Sequence, residues 1–406
     1  FWHAMGGTNG EVLQQIVDDF NASQDEIEIK AEYQGTYDDT ITKLKAAMQS
    51  ESGLPDVCQM YDVGTKFMYD SGAVIPVEDK FESTGYDKSS VMDVISSYYT
   101  VEGKQYAMPF NVSTPMLYYN KDVFEAAGLD PETPPTTYDE VLEDAKKIVE
   151  SGAAPVGYSQ AIYGWFFEQQ LAGLGVTYGN NDNGRTEAVT AVDFDSNGGG
   201  LKVFDMWKKL YDSGYFEDYG TTTADTQTAF FSGQVGMIIE STAILKNAVD
   251  SSPFEVGTGY LPRIEQNDEG GVIIGGGSLW LTDTGNEANE DAAWKFIEYI
   301  TTPDVQAKWS MGTGYFAINE KAYETDDMKA YLEENPNFMT AINQLKDSPV
   351  NCNTAGVLSG VQTEARLTFN EIMPQVYDGK LTTQDAVDQL AASVNKAIEN
   401  YNESIK

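Results

Sequence analysis

The stretch FWHAMGGTNGEVLQQIVDDF, residues 1–20, sets the rhythm on which the fold prediction depends. The apolar FWHAM predicts a short strand. Thr8 and Glu11, three residues apart, match the capping box that opens a helix. Apolar residues then recur at helical spacing from Val12 to Phe20. The chain is therefore expected to begin with a strand followed by an amphipathic helix.

The same alternation continues for two more strands. IEIKAEY (27–33) alternates apolar and polar residues like a strand, and an amphipathic helix is predicted from Tyr37 to Met48. LPDVCQMY (54–61) reads as a buried strand. This β-α-β-α-β order predicts an α/β fold with a largely parallel sheet and helices on both faces. In such sheets ligands bind at the carboxyl ends of the strands.

Length and charge restrict the class of protein. The chain has 406 residues, which favours two domains over one core. Its net charge of −39 should repel nucleic acid and anionic lipid, so neither is expected as a partner. No apolar run is long enough to span a bilayer. Because the sequence starts directly at Phe1, we expect a mature or trimmed chain.

The sequence gives little support for a metal site, a cofactor or a catalytic site. The only histidine is His3, and Cys58 and Cys352 are far apart, so no metal site is expected. Two buried thiols are predicted, with a disulfide left open. IGGGS (274–278) lacks the residues of a phosphate loop, and no GxSxG occurs. We therefore predict no cofactor, no catalytic residue and no enzymatic activity.

Four stretches resemble the family 1 extracellular solute-binding proteins of ABC importers: LYYNKDVFEAAGLDPETPPTTYDEV (117–141), FFSGQVGMIIES (230–241), IIGGGSLW (273–280) and GTGYFAINEKAY (312–323). Within that family, similarity is greatest to the members that bind sn-glycerol 3-phosphate. FWHAMGG, MYDVGT, PFNVSTPMLYYNKD and TGY carry this closer likeness. The resemblance runs over the whole chain.

The resemblance implies a two-lobed, periplasmic-binding-protein-like fold of type II. Each lobe would hold a mostly parallel sheet flanked by helices, with the ligand in the cleft between the lobes. The N-terminal lobe would comprise 1–110 and 264–312, and the C-terminal lobe 113–262 and 315–406. Hinge crossings would fall near 110–114, 260–264 and 312–316, where the residues are turn-prone.

Arg366 is implied to hold the ligand phosphate. It is one of three arginines in the chain, with Arg185 and Arg263. A guanidinium offers a planar fork that grips phosphate oxygens in a way that lysine cannot. The alternative is a structural ion pair with Glu364 or Glu371.

Further polar contacts follow from the same resemblance. Ser113 matches a hydroxyl donor, and Tyr315 a phenol that contacts the phosphate. Gly276 matches a glycine whose backbone N–H faces the phosphate. Ser241 or Thr242 matches another hydroxyl contact, and the sequence leaves both open. Turn formation and packing are the structural alternatives.

Three further residues are implied to contact the ligand. Tyr37 would place a ring against its glycerol end, and Asp62 would place a carboxylate near its hydroxyls, where the relatives carry glutamate. Trp165 matches the second of two tryptophans that flank the cleft, and Ile162 replaces the first. Core packing is the alternative for Trp165.

The function implied is that of the substrate-binding component of an ABC importer. It would capture sn-glycerol 3-phosphate or a glycerophosphodiester by hinge closure and deliver it to a membrane permease. The alternative is a receptor for a neutral oligosaccharide, with Arg366 in a structural pair; a secreted carbohydrate-active enzyme is a third class. The protein is expected to be a monomer and extracytoplasmic, either periplasmic or a cell-surface lipoprotein.

Overall fold

A computed structural model describes residues 1–50 and 53–405. Its strands in chain order are β1 (Trp2–His3), β2 (Glu32–Tyr33), β3 (Val57–Tyr61), β4 (Val74–Ile75), β5 (Thr100–Val101), β6 (Lys104–Gln105), β7 (Met108–Ser113), β8 (Pro115–Asn120), β9 (Val156–Ser159), β10 (Val235–Ser241), β11 (Val256–Gly259) and β12 (Gly275–Thr282).

The helices alternate with the strands at first and dominate the C-terminal part. They are α1 (Gly7–Ser23), α2 (Tyr37–Gln49), α3 (Thr65–Asp70), α4 (Val77–Thr84), α5 (Asp93–Ser96), α6 (Lys121–Ala126), α7 (Tyr138–Ser151), α8 (Gly164–Gly173), α9 (Asn180–Gly184), α10 (Gly199–Asp212), α11 (Thr223–Phe231), α12 (Leu245–Ser251), α13 (Glu287–Ile300), α14 (Pro303–Thr313), α15 (Asp326–Glu334), α16 (Phe338–Asp347), α17 (Gln362–Tyr377) and α18 (Thr383–Ser404).

The chain divides into two compact units, each built from two segments. Unit 1 comprises Phe1–Ser113 and Ile274–Asn335, and unit 2 comprises Thr114–Ile273 and Pro336–Lys406. The first change of unit therefore lies within the predicted crossing at 110–114. The other two lie further along the chain than the sequence predicts.

The second change of unit follows Ile273 instead of falling at 260–264. The intervening residues are bonded within unit 2. Leu261 donates its backbone N–H to Gln344 Oε1 at 2.5 Å. Ile273 exchanges two hydrogen bonds with the side-chain amide of Gln169, both at 2.8 Å. These bonds keep the segment in unit 2 as far as Ile273.

The third change of unit follows Asn335 instead of falling at 312–316. The residues after the predicted crossing pack in unit 1. Ile318 donates its backbone N–H to Gln306 Oε1 at 2.9 Å. Met328 is buried in a cluster with alanines of α14 and of the following turn. α15 therefore belongs to unit 1, and the chain enters unit 2 only after it.

The sheet of unit 1 has the strand order β2-β1-β3-β12-β4, and β7 also pairs with β12. β1 runs parallel to both β2 and β3. β12 runs antiparallel to β3, β4 and β7. The β5–β6 pair forms a separate antiparallel hairpin.

The sheet of unit 2 has the order β11-β8-β10-β9. β10 is parallel to β9 and antiparallel to β8, and β11 is antiparallel to β8. Both sheets are thus mixed, and the expectation of mostly parallel sheets requires correction. A helical crossover enforces parallel pairing only between the strands it joins. β12 enters its sheet after a long excursion of the chain through unit 2, and no single crossover fixes its direction.

Two predicted local features also require correction. α1 begins at Gly7 with Gly6 as its N-cap and no side-chain cap, so Thr8 lies inside the helix. In contrast, Thr137 forms a capping box at the start of α7. Of the strand predicted at 27–33, only Glu32–Tyr33 pairs in the sheet.

Side chains replace the missing strand partners in that segment. Asn21 accepts from the backbone N–H of Ile29 at 2.8 Å and donates to its carbonyl at 2.9 Å. Gln24 makes the same two contacts with Ile27, both at 2.7 Å. Amide side chains compete with a ladder in this way because they offer a donor and an acceptor together.

The aromatic core of unit 2 holds α8 and α17, the helices that carry Trp165 and Arg366. Phe167 of α8, Phe204 of α10 and Phe369 of α17 lie with ring centroids 5.1–5.7 Å apart. Trp207 meets the Phe369 ring edge-on at 5.3 Å. Large buried aromatic side chains contribute strongly to packing. α8 and α17 are therefore held together by an aromatic core.

The two cysteine thiols are free. Cys58 is buried on β3 and Cys352 is half-buried, so the prediction of two buried thiols holds fully only for Cys58. Within residues 1–50 and 53–405, no group of three or more histidine, cysteine or acidic side chains is arranged to hold a metal. Over the same residues, no helix is both long enough and apolar enough to span a bilayer.

Candidate functional site

The predicted ligand contacts form two sets, one in each unit. Unit 1 carries Tyr37, Asp62, Ser113, Gly276 and Tyr315, and unit 2 carries Trp165, Ser241, Thr242 and Arg366. Each set is described on its own below.

In unit 1, Tyr37 and Tyr315 meet at the side chain of Asn111. Asn111 donates its amide N–H to the Tyr37 hydroxyl at 2.8 Å, and its own oxygen accepts from Gln59 at 2.7 Å. Tyr315 interacts with the side chains of both Asn111 and Tyr37, and burial raises the pKa of its phenol. Burial, followed by the neighbouring Tyr315 phenol, raises the pKa of Tyr37. Both phenols are thus neutral and oriented by a fully buried amide.

Asn111 was not among the sequence-predicted contacts, although it lies inside the PFNVS motif. A buried amide in the middle of an apolar strand was the available signal, because such groups are almost always hydrogen-bonded. Here Asn111 orders two of the predicted contacts. Tyr37 also stacks on Tyr61, with centroids 5.0 Å apart and planes 7° apart.

Asp62 lies directly after β3 and starts a short helical turn. Its side chain is buried, and its charge contributes to the raised pKa of both Tyr37 and Tyr99, after the larger effect of burial. Asp62 is therefore close to the phenol cluster. An acidic acceptor beside phenol groups suits a ligand with hydroxyls.

Ser113 and Gly276 lie on the paired strands β7 and β12. Ser113 pairs with Gly275, and Gly276 with Val112. Gly276 has φ +87°, and a Cβ there would lie 1.9 Å from the carbonyl oxygen of Asn111. The fold alone therefore requires glycine at 276, whether or not its N–H faces a ligand.

In unit 2, Arg366 forms a buried ion pair with Glu168. Its Nε donates to Glu168 Oε1 at 2.8 Å and its Nη2 to Oε2 at 2.7 Å. The Gln362 amide also donates to Oε1, at 2.9 Å. This partner, Glu168, is not one of the two residues that the sequence suggested for a structural pair, Glu364 and Glu371. The pair joins α8 to α17.

The close approach of those two helices depends on Gly164. A Cβ at Gly164 would lie 2.5 Å from Arg366 Cα, and the backbone N–H of Gly164 donates to Asn370 at 2.9 Å. Glu168 was missed because one sequence cannot say which of many acidic residues is the partner. Its position inside the apolar run GWFFEQQL was the available signal, since a lone buried carboxylate needs compensation.

Two buried donors near the start of α8 lack acceptors in the part of the chain that the structure describes. They are the indole N–H of Trp165 and the side-chain N–H group of Gln160. Gln160 is fully buried, and its oxygen accepts from the Tyr158 hydroxyl at 2.6 Å. Buried donors of this kind are normally satisfied by water or by a ligand. Gln160 thus joins Trp165 as a candidate contact.

The geometry separates Ser241 from Thr242. Thr242 is buried, and it exchanges two hydrogen bonds with the backbone of Thr114, at 2.9 and 3.2 Å. Ser241 is half-buried at the end of β10, where its hydroxyl accepts from the backbone N–H of Ala243 at 3.2 Å. The Ser241 hydroxyl hydrogen is thus better placed to reach a solute.

Two α/β units built from interleaved segments, each with its own set of aromatic and polar candidate contacts, define a receptor for a small solute. Sequence and structure comparisons agree with this class. Residues 15–340 match the family of bacterial extracellular solute-binding proteins. That match covers more than half of the chain.

Full-length relatives share about a third of the sequence. The sn-glycerol-3-phosphate-binding periplasmic protein UgpB of Escherichia coli strain K12 is 31% identical over 413 residues, covering 100% of this chain and 93% of its own length. The protein of the same name from Pectobacterium atrosepticum is 30% identical over 414 residues, covering 100% and 92%.

Solved structures share the fold over nearly the whole chain. The cyclic alpha-maltosyl-1,6-maltose binding protein of Arthrobacter globiformis is 26% identical, with a TM-score of 0.80 and 98% of each chain covered. UgpB of Mycobacterium tuberculosis, solved with glycerophosphocholine, is 21% identical, with a TM-score of 0.84 and 99% and 98% covered. This second likeness concerns the fold alone.

The chain belongs to the bacterial extracellular solute-binding protein family. It is the substrate-binding component of an ABC importer, which binds a small molecule outside the cytoplasm and delivers it to a permease. It is a transport component and not an enzyme. The predictions of fold family, transport role and extracytoplasmic location are confirmed.

Proposed function

We propose that the protein captures sn-glycerol 3-phosphate or a glycerophosphodiester. The observation that carries the proposal is the buried guanidinium of Arg366, in the same unit as Trp165 and Ser241. A phosphate held by a buried arginine and by hydroxyl donors is bound by charge-assisted hydrogen bonds. The full-length relatives are named for sn-glycerol 3-phosphate, which supports the same proposal.

The unit 1 residues suit the other end of such a solute. Tyr37 and the nearby Asp62 combine an aromatic surface, a phenol hydroxyl and an acidic acceptor. A glycerol group offers several hydroxyls and a small apolar carbon surface. We therefore assign the glycerol end to Tyr37 and Asp62, and the phosphate end to Arg366 together with Tyr315, which the family resemblance matches to a phosphate contact. Hinge closure around the solute remains a prediction of the family resemblance.

A neutral oligosaccharide is the second candidate. It is favoured by the Arg366–Glu168 pair, because a guanidinium already matched by a carboxylate is a weaker attractor for phosphate. Trp165, Tyr37 and Asp62 would then recognise sugar rings and hydroxyls. The sugar-binding structural relative also has this fold.

A thermal-shift screen separates the two candidates. The ligands are glycerol 3-phosphate, glycerophosphoglycerol and maltotriose. A true ligand at 100 times its Kd stabilises the folded protein by about 2.7 kcal/mol. Stabilisation by the phosphorylated glycerols alone supports the proposal, and stabilisation by maltotriose alone refutes it.

Calorimetry on variants then tests Arg366 itself. Arg366→Ala should weaken phosphate binding by about 2–4 kcal/mol, as expected for a buried charged contact. Because this change leaves Glu168 buried without its cation, Arg366→Lys is measured beside it to keep a charge in place. Arg263→Ala, an exposed arginine of the same unit, is the control and should bind normally. Equal affinity of Arg366→Ala and Arg263→Ala would remove Arg366 from the site.

We also propose that the receptor acts as a monomer. Light scattering coupled to size exclusion should give the chain mass of 44.6 kDa with and without solute. A stable dimer at low micromolar concentration would overturn this.

A further inference from the structure

The carboxylate of Glu168 accepts three N–H donors at the position where the solute phosphate is proposed to bind. Two come from Arg366 at 2.7 and 2.8 Å, and one comes from Gln362 at 2.9 Å. The side chains of Arg366 and Glu168 are only 8% and 7% exposed. The positive charge of the guanidinium is therefore already balanced by Glu168 before any solute binds.

This balance has a consequence for the charge of the solute. A phosphate that contacts Arg366 also lies within a few ångströms of the Glu168 carboxylate, because the two groups touch. The attraction to Arg366 and the repulsion from Glu168 both grow with the negative charge on the phosphate. In a buried site neither is screened by salt as a surface charge would be. A second negative charge on the phosphate thus gains less than it would beside an unpaired arginine, and it must also be desolvated.

We propose that Glu168 is a specificity-determining residue that selects phosphodiesters, with a single negative charge, over the dianions of phosphate monoesters. This inference rests on the proposed function and narrows it to glycerophosphodiesters. We expect a preference of about tenfold or more, the effect that one like charge a few ångströms away has on an ionisation equilibrium.

Two groups that interact with Glu168 keep their charge between pH 5 and 8. Arg366 remains protonated throughout. Tyr178 interacts with both members of the pair, and burial raises the pKa of its phenol. The diester keeps its single charge over this range, so it serves as the reference against which the pH dependence of monoester binding is measured. A phosphate monoester takes up its second proton with a pKa of about 6.

The test compares glycerophosphoglycerol with glycerol 3-phosphate by calorimetry at pH 7.5 and pH 5. The wild-type protein should bind the diester about tenfold more tightly at pH 7.5, and the gap should narrow at pH 5, where the monoester carries one charge. Glu168→Gln keeps the side-chain shape and removes its charge, so the difference in affinity between diester and monoester should become smaller at pH 7.5. Glu371→Gln removes an exposed charge from the same helix as Arg366 and should leave the gap unchanged.

Each outcome decides the question. Equal or tighter binding of the monoester by the wild-type protein at pH 7.5 overturns the role of Glu168 and leaves the proposed function standing. So does a preference that persists in Glu168→Gln or at pH 5. Binding of maltotriose with neither phosphorylated glycerol overturns both. If Glu168→Gln does not fold, as judged by circular dichroism, the pH comparison on the wild-type protein gives the answer.

Discussion

Replacing Gly276 with alanine should destabilise unit 1 by about 3–4 kcal/mol, considerably more than an ordinary glycine substitution. Gly276 lies on β12 with φ +87°, opposite Val112 of β7. A Cβ added at this position would lie 1.9 Å from the carbonyl oxygen of Asn111. The obstructing atom belongs to the backbone, so a side-chain rotation cannot relieve the contact.

Two effects make up the magnitude. Holding alanine at a left-handed φ costs roughly 1–2 kcal/mol. In addition, the contact with Asn111 must lengthen from 1.9 Å to at least 3.0 Å, which separates β7 from β12 where Gly275 and Gly276 pair with Ser113 and Val112. Weakening two backbone hydrogen bonds there costs about 1 kcal/mol each.

Urea unfolding of the variants provides the measurement, and Gly285→Ala is the matched control. Gly285 also has a positive φ, +69°, but an added Cβ would meet nothing within 4 Å. Both glycines belong to unit 1, so both variants report on the same transition even if the two units unfold separately. Gly285→Ala should lose only the roughly 1–2 kcal/mol of backbone strain.

Solute binding by the same two variants gives a second measurement, because Asn111 orders Tyr37. When its backbone moves, the amide that orders Tyr37 moves with it, so Gly276→Ala should also bind the solute more weakly than Gly285→Ala. If the two variants have the same free energy of unfolding, the close contact between β7 and β12 is not what requires glycine at 276.

Three further predictions concern other parts of the molecule. Burial lowers the pKa of His3 to about 4, so the folded protein favours the neutral imidazole. The free energy of unfolding should therefore be highest above pH 6.5 and fall by about 3 kcal/mol as the pH drops to 4. His3→Asn should flatten that part of the stability–pH curve. Gly164→Ala should destabilise unit 2 by about 2 kcal/mol or more, because its Cβ would overlap Arg366 Cα, whereas Gly173→Ala at the other end of α8 should be neutral or stabilising in urea unfolding. Replacing the ion pair by Glu168→Leu with Arg366→Met should leave the melting temperature unchanged or higher and abolish phosphate binding in calorimetry.

Much of the fold could be predicted because local patterns encode it. The apolar spacing that predicted a helix from Tyr37 to Met48 corresponds to α2, and LPDVCQMY (54–61) predicted the strand β3. Strand direction is different, because it depends on how distant segments return. β12 shows this, since an identical strand sequence could pair either way with β3.

The candidate site was predictable in its residue types and not in its pairings. The motif around Arg366 suggested a ligand contact, yet its partner Glu168 is 198 residues away in the chain. Asn111 lies within β7 and Gln160 directly after β9, both in ordinary sequence, and only their burial reveals that they need partners. Long-range polar pairing leaves no periodic trace in a single sequence, so it had to come from the structure.

The Arg366–Glu168 pair is hard to explain by stability alone. Burying two charges has a large desolvation cost, and apolar residues of similar size often serve as well or better. The surrounding α8 and α17 already share an aromatic core that holds them together. The acidic surface is no substitute as a selector of solute charge, because its field is screened beyond about 8 Å at physiological ionic strength. A charge that acts on one bound phosphate must therefore be local and buried, and Glu168 meets both conditions.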